Sequence, residues 1–149
     1  MMERIAVASL WTFAMVAAHS ASAAPLPGAS GELLDPQKAF VISAHALGGQ
    51  HVEVEFKIAE GYYMYRDRFR FATESGEPLP AVEIPRGKVK QDPVFGRTET
   101  FRDRVRIRVT VSPKDAVRGN VTLKVTSQGC ADAKVCYAPV EQIVKVRLR

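Results

Sequence analysis

The stretch "HVEVEFKI", residues 51–58, alternates apolar and polar side chains without a break. Val52, Val54, Phe56 and Ile58 fall on one side of an extended chain, and His51, Glu53, Glu55 and Lys57 on the other. Successive side chains of a strand point to opposite faces, so a period of two marks a strand with one face buried and one wet. The pattern recurs in both directions. Upstream, Phe40, Ile42, Ala44 and Ala46 alternate with other residues. Downstream, "RVRIRVTV" aligns Val105, Ile107, Val109 and Val111; "VTLKV" aligns Val121, Leu123 and Val125; "IVKVRL" aligns Val144, Val146 and Leu148. The shorter runs "RFRF" and "AVEI" bring together Phe69 with Phe71 and Val82 with Ile84. Turn signals fall between the runs, at Gly48-Gly49, Glu60-Gly61, Ser75-Gly76, Arg86-Gly87, Ser112-Pro113 and Gly119-Asn120. No segment carries a convincing helical period. Short strands at this spacing predict an all-β, antiparallel sandwich of immunoglobulin-like type.

The first residues follow a different rule. "MMERIAVASLWTFAMVAAHSASAA" has an early positive charge at Arg4, an apolar run from Ile5 to Ala18, and Ala21-Ser22-Ala23 before Ala24. This is the three-part pattern of a secretory signal peptide, assigned to residues 1–23. The apolar run falls short of the ~20 residues that span a bilayer, so stable membrane insertion after cleavage is not expected. "APLPGASGELLDP", residues 24–36, reads as an extended arm, and residues 37–149 as the folded domain. The formal charge is +5, with basic residues spread along the chain and concentrated on one alternating strand. The wet face of a sheet accounts for that pattern, and export argues against a nucleic-acid partner.

Export also frames the two cysteines, Cys130 and Cys136, in "SQGCADAKVCYAPV", residues 127–140. Outside the cytoplasm they pair with each other or with a partner protein. They bracket a connection between neighbouring strands, where a short loop allows the sulfurs to meet. As a staple the seven-residue ring is worth only about 2–2.5 kcal/mol. As a redox couple it needs one accessible sulfur, a second to resolve a mixed disulfide, and control of the thiolate. Lys134 favours a thiolate and Asp132 opposes it. Spacing alone leaves both readings open. No metal site is expected, because His45 and His51 have no ligand-like spacing to the cysteines.

Two further stretches carry candidate residues. "EGYYMYRDRFRF", residues 60–71, sends Tyr63 and Tyr65 to one face and Tyr62 to the other. They serve either as core and rim aromatics or as a hydroxyl-bearing wall beside the sulfurs. "KQDPVFGRTETFRDR", residues 90–104, holds Asp92, Pro93, Val94, Phe95 and Gly96, which form either an ordinary turn or a flap over a reactive site.

Taken together, "GYYMYR", "DPVFGRTETFRDR" and "QGCADAKVCYAP" resemble the N-terminal periplasmic domain of the thiol:disulfide interchange protein DsbD. "DPQKAF", residues 35–40, looks like that domain's opening strand. The order and spacing match over nearly all of the mature chain. The resemblance implies an immunoglobulin-like sandwich with the cysteines on a hairpin, working in the periplasm as a protein-disulfide reductase module without a cofactor. It implies a thioredoxin-like electron donor, and as acceptor a disulfide isomerase or a cytochrome c maturation thioredoxin. On this basis Cys136 exchanges with the partner, Cys130 resolves the mixed disulfide, and Tyr63 and Tyr65 flank the sulfurs. Asp92 to Gly96 would form a cap loop that shields the couple until a partner docks. The family's cap carries an acidic and then an aromatic residue where this chain has Pro93 and Val94, which leaves Phe95 to substitute. If the protein ends at Arg149, its donor is a separate polypeptide. The rival readings are an immunoglobulin-like binding or adaptor domain with a structural disulfide, and a chaperone-like domain that binds unfolded chains through its aromatic stretch.

Overall fold

The structure, a computed structural model, describes residues 32–132 and 135–148. The signal peptide at 1–23, most of the arm at 24–36, and Lys134 with its expected effect on the thiolate lie outside the described residues or largely so. The chain opens with a helical turn, α1 (Pro36–Ala39), and continues through β1 (Phe40–Gly48), β2 (His51–Ile58) and β3 (Tyr62–Tyr65). A 3-10 turn at Arg66–Arg68 leads to β4 (Arg70–Thr73), β5 (Ala81–Glu83), β6 (Lys88–Asp92), β7 (Gly96–Phe101) and β8 (Arg104–Thr110). A short helix, α2 (Pro113–Arg118), precedes β9 (Asn120–Ser127), β10 (Gly129–Ala131), β11 (Val135–Cys136) and β12 (Val140–Arg147).

These strands form three antiparallel sheets, ordered β1-β2-β8-β5, β11-β10-β3-β7-β6 and β12-β9-β4. The expected all-β sandwich is what the chain adopts. Alternation does the work: Val52, Val54 and Phe56 of β2, Val105, Ile107 and Val109 of β8, and Leu123 and Val125 of β9 are buried together in one core. Burying such side chains is the main force holding a sandwich together. Register carries the polar face as well. Glu55 lies opposite Arg106 and Val54 opposite Ile107 across β2 and β8. On the wet side Arg106 reaches Glu55 at 2.8 Å and Glu53 at 3.5 Å, and Arg104 reaches Glu55 at 3.6 Å. The basic strand therefore faces carboxylates of its own sheet.

Two local expectations are corrected. Residues 35–40 do not open as a strand: the Asp35 side chain accepts from the Gln37 N–H at 2.9 Å, Pro36 starts α1, and β1 begins only at Phe40. Ser112-Pro113 is likewise a helix start, not a simple turn. The Ser112 hydroxyl accepts from the Asp115 N–H, and Gly119, at φ +76°, ends α2 in the left-handed region. Both helices are too short to show a 3.6-residue period, so their caps are their only sequence signal.

The cysteine hairpin extends the β9–β12 hairpin. Ser127 lies opposite Val140, the Tyr137 N–H donates to the Gly129 carbonyl at 3.0 Å, and Cys130 lies opposite Cys136. Around Gln128 the chain changes sheet, from β4 as neighbour of β9 to β3 as neighbour of β10. Gly129 permits the crossing. A Cβ there would run into the Tyr63 carbonyl and the Phe40 ring.

Candidate functional site

The tyrosines come from β3, whose four residues are all buried. Tyr62 and Met64 enter the main core, whereas Tyr63 and Tyr65 cross to the opposite side and cluster with Cys130. Strand alternation alone sorts them this way. The β10–β3 pairing then sets Cys130 opposite Tyr63.

Cys130 and Cys136 form a disulfide, with Cα atoms 4.0 Å apart. They oppose each other at a position flanked by, rather than joined by, backbone hydrogen bonds, where cross-strand side chains come closest. The two sulfurs live in different surroundings. Cys130 is 0% exposed, and Cys136 sits on the exposed two-residue edge strand β11. Tyr65 Oη lies 3.2 Å from Cys130 Sγ and 3.9 Å from Cys136 Sγ.

The β6–β7 hairpin supplies the other wall. Asp92 ends β6 and pairs with Gly96, which takes φ +69° and starts β7. Between them the Asp92 Oδ1 accepts the backbone N–H groups of Val94 at 2.8 Å and Phe95 at 3.1 Å. A short acceptor at the head of a turn and a Pro after it are what this tight reversal requires. The second oxygen, Oδ2, accepts from the Tyr65 hydroxyl at 2.7 Å and the Tyr63 hydroxyl at 3.4 Å. One carboxylate thus ties the loop to the aromatic wall. Phe95 packs on the Tyr63, Tyr65 and Cys130 cluster, edge-on to Tyr65 with ring centroids 5.0 Å apart. Val94, in contrast, is 71% exposed, and Pro93 is exposed too. Of the two residues that could cover the couple, Phe95 is the one laid against it.

Electrostatics follow from this packing. Burial works against the Asp92 charge more than any other single influence. The Tyr65 hydroxyl, the Val94 and Phe95 N–H groups and the Lys90 ammonium together outweigh it and hold the carboxyl below its ordinary value. Burial first, then Tyr63 and Asp92, pushes the Tyr65 hydroxyl well above the tyrosine range, so it keeps its proton. Its one hydrogen goes to Asp92, and its oxygen is left facing the sulfurs.

Several participants escaped the sequence reading. Lys90 stands over the Tyr63 ring at 3.6 Å and 3.9 Å from Asp92 Oδ2; its spacing two residues before Asp92 on a strand was an available signal. Arg102 grips Asp132 through both guanidinium nitrogens, at 3.0 and 2.7 Å, and also donates to the Tyr62 carbonyl. The Asp132 charge expected to oppose a thiolate is therefore paired, and Arg102 holds its carboxyl below the usual range. Tyr137, next to Cys136, donates to the Leu34 carbonyl while the Leu34 N–H donates to Tyr62, which ties the end of the arm to the hairpin. Burial and then the Tyr62 hydroxyl push Tyr137 up to about 12. Arg102 and Tyr137 fall inside the stretches that carry the family resemblance, but their partners, Asp132 and Leu34, lie 30 and 103 positions away, so their contacts were not legible locally. Among the described residues, no group of three or more His, Cys, Asp or Glu could hold a metal ion.

Comparison with known proteins bears on the same residues. The family described as "Thiol:disulfide interchange protein DsbD, N-terminal" matches residues 30–148. A thiol:disulfide interchange protein DsbD of Ralstonia nicotianae is 44% identical over 124 residues, 79% of this chain and 19% of the relative. Its Pseudomonas aeruginosa counterpart, DsbD 1, is 40% identical over 76% of this chain and 20% of the relative. The chain thus spans about one fifth of the length of these curated relatives. The crystal structure of the Neisseria meningitidis DsbD N-terminal domain in the reduced form is similar with a TM-score of 0.64 and 31% identity, over 77% of this chain and 90% of that one. A structure of the complex between the DsbD and PilB N-terminal domains of N. meningitidis gives a TM-score of 0.63 and 33% identity, over 76% and 87%.

Proposed function

The chain belongs to the family of N-terminal domains of the thiol:disulfide interchange protein DsbD, and from that membership we propose that it is a periplasmic thiol–disulfide interchange module that acts as a protein-disulfide reductase. The observation that carries the reading is the asymmetry of the couple: Cys136 is exposed on an edge strand, and Cys130 is buried behind it against Tyr65. A staple gains nothing from such a division, whereas exchange needs one sulfur to be met and one to resolve.

The chemistry balances as two-electron exchange. A partner thiolate attacks Cys136 Sγ, the Cys130–Cys136 bond breaks, and Cys130 leaves with the electron pair and takes a proton. The second partner thiolate then attacks the partner sulfur of the mixed disulfide and frees Cys136. The module is now a dithiol and the partner a disulfide. Running the steps backwards, Cys136 attacks an oxidised acceptor and Cys130 resolves. Tyr63 and Tyr65 form the wall of this site, and the loop from Asp92 through Pro93, Val94 and Phe95 to Gly96 forms its cap. A thioredoxin-like protein or domain is the proposed donor; that a module of this family docks on protein partners is supported by the complex of the Neisseria relative with the PilB N-terminal domain. An exported disulfide isomerase or cytochrome c maturation thioredoxin is the proposed acceptor.

Titration of the folded protein against glutathione and dithiothreitol tests the reading. A midpoint above about −300 mV is expected of a shuttle, because structural pairs lie below it. Resistance to reduction in the native state would leave the pair a staple. With Cys130→Ala, Cys136 is expected to hold the N. meningitidis PilB N-terminal domain as a mixed disulfide. Capture by Cys130 in Cys136→Ala instead would reverse the roles of the two sulfurs.

A further inference from the structure

We propose that Arg68 is a positioning residue that latches Phe95 over the buried sulfur and thereby confines exchange to Cys136. The inference rests on the exchange reading above. It starts from a stack of contacts. The Arg68 guanidinium lies 4.2 Å from the centroid of the Phe95 ring. Phe95 meets Tyr65 edge-on at 5.0 Å, and Tyr65 Oη lies 3.2 Å from Cys130 Sγ. From solvent inward the order is cation, ring, phenol, sulfur.

The loop's other contacts hold the backbone and one side of the ring. Asp92 secures only the backbone of residues 94 and 95, and Tyr65 supports the Phe95 ring from one side. Val94 points to solvent and covers nothing. The outer face of Phe95 is what Arg68 occupies. Arg68 is brought there by the 3-10 turn at Arg66–Arg68, which directly follows the strand that carries Tyr65. Arg68 and the Tyr65 wall thus share one short stretch of chain, and Phe95 reaches them from the β6–β7 loop. A guanidinium suits the task, because it lies flat on an aromatic face and needs no carboxylate to do so.

The consequence is chemical regioselectivity. An incoming thiolate must approach along the S–S axis of the sulfur that it attacks. Tyr63, opposite Cys130 on β3, and Tyr65, backed by Phe95, close that approach at Cys130, and the edge strand leaves it open at Cys136. The leaving group is then always Cys130, already next to the Tyr65 hydroxyl. Arg97 lines the same cleft as Arg68 and Phe95 but is not stacked on the ring, so it serves as the internal control.

The test reads sulfur accessibility directly. In the reduced Cys136→Ser protein, Cys130 is alkylated with iodoacetamide. Adding Arg68→Ala is expected to speed this reaction roughly two- to fivefold, the factor that a solvent-exposed cation–π contact represents. Phe95→Ala is expected to speed it at least as much, and Arg68→Ala on top of Phe95→Ala to add nothing. Arg68→Lys should fall between, and Arg97→Ala should match the parent. In the reduced Cys130→Ser protein, Arg68→Ala should leave Cys136 alkylation unchanged, which separates a latch from general loosening. An unchanged Cys130 rate in Arg68→Ala overturns the proposal, and so do independent, multiplying effects of Arg68→Ala and Phe95→Ala. The redox titration of the unmodified protein does not depend on Arg68, so loss of the exchange reading would be seen there separately.

Discussion

The carboxylate of Asp92 is 3% exposed and accepts four hydrogen bonds, two from tyrosine hydroxyls and two from backbone N–H groups. Burial opposes the charge, but the bonds from Tyr65, Val94 and Phe95, with the Lys90 ammonium, favour the ionised form, so folding lowers the proton affinity despite burial. The folded carboxyl therefore titrates below the unfolded one. Its stabilisation is fully present above about pH 4, where the unfolded carboxyl is also ionised, and is lost as the pH falls through the depressed folded value. Asp92→Asn is expected to cost about 2 kcal/mol at neutral pH, in the range for hydrogen bonds to a charged group. The cost should shrink in acid, as the parent protonates the same group. Denaturant unfolding of both proteins from neutral pH downward reads this directly; a gap that stays constant into acid would mean that Asp92 acts through shape and not charge. Lys90, over Tyr63 and beside Asp92, supports the same ionised state.

The cysteine hairpin is held at two points, one by close backbone approach and one by an ion pair. Gly129 lets β10 approach β3 closely, and the Arg102–Asp132 pair fastens the turn beyond Cys130 to the β3–β7 side. Gly129→Ala must displace either the Tyr63 carbonyl or the Phe40 ring, the kind of overpacking that costs about 1–3 kcal/mol. Because the strain falls on the strand next to the wall, the expected result is lower stability with a shifted redox midpoint. A midpoint equal to that of the parent, measured in the folded range, would show that the hairpin absorbs the extra atom without moving the sulfurs. The glycine was visible in the sequence. Its reason was not, since the two groups that crowd it come from β1 and β3, far away along the chain.

At the level of the whole molecule, the couple borders the main core without being part of it. The main cluster gathers residues of β1, β2, β8, β9 and β12 and takes in Tyr62 and Met64 of β3, Phe101 of β7 and Ala131 of β10, whereas Cys130 belongs to the small cluster with Tyr63 and Tyr65. The disulfide closes only a short ring, worth about 2–2.5 kcal/mol in the chain-entropy account. The double variant Cys130→Ala/Cys136→Ala is therefore expected to unfold in one cooperative step with stability lower by about that amount. Thermal or denaturant unfolding followed by near-ultraviolet circular dichroism checks it. Loss of cooperative unfolding would show that the pair is part of what makes the fold. A shuttle needs the opposite, a fold indifferent to its own redox state.

Alternation by itself determined the sandwich. Runs such as residues 51–58 and 104–111 commit one face to burial wherever the strand pairs, so fold class, core residues and the division of Tyr62 from Tyr63 and Tyr65 were all legible locally. The candidate residues were legible too, because the cysteines, the paired tyrosines and the Asp-Pro turn are distinctive in type and order. Tertiary structure alone decided how they meet. One carboxylate joins loop and wall, Phe95 rather than Val94 lies against the cluster, and Arg102 neutralises Asp132. Burial alone separates the two sulfurs, leaving Cys130 inside and Cys136 at an edge. The physical reason is range. Periodicity records the chain's neighbours along itself, whereas these contacts join residues 27 to 65 positions apart, whose meeting depends on sheet order and register.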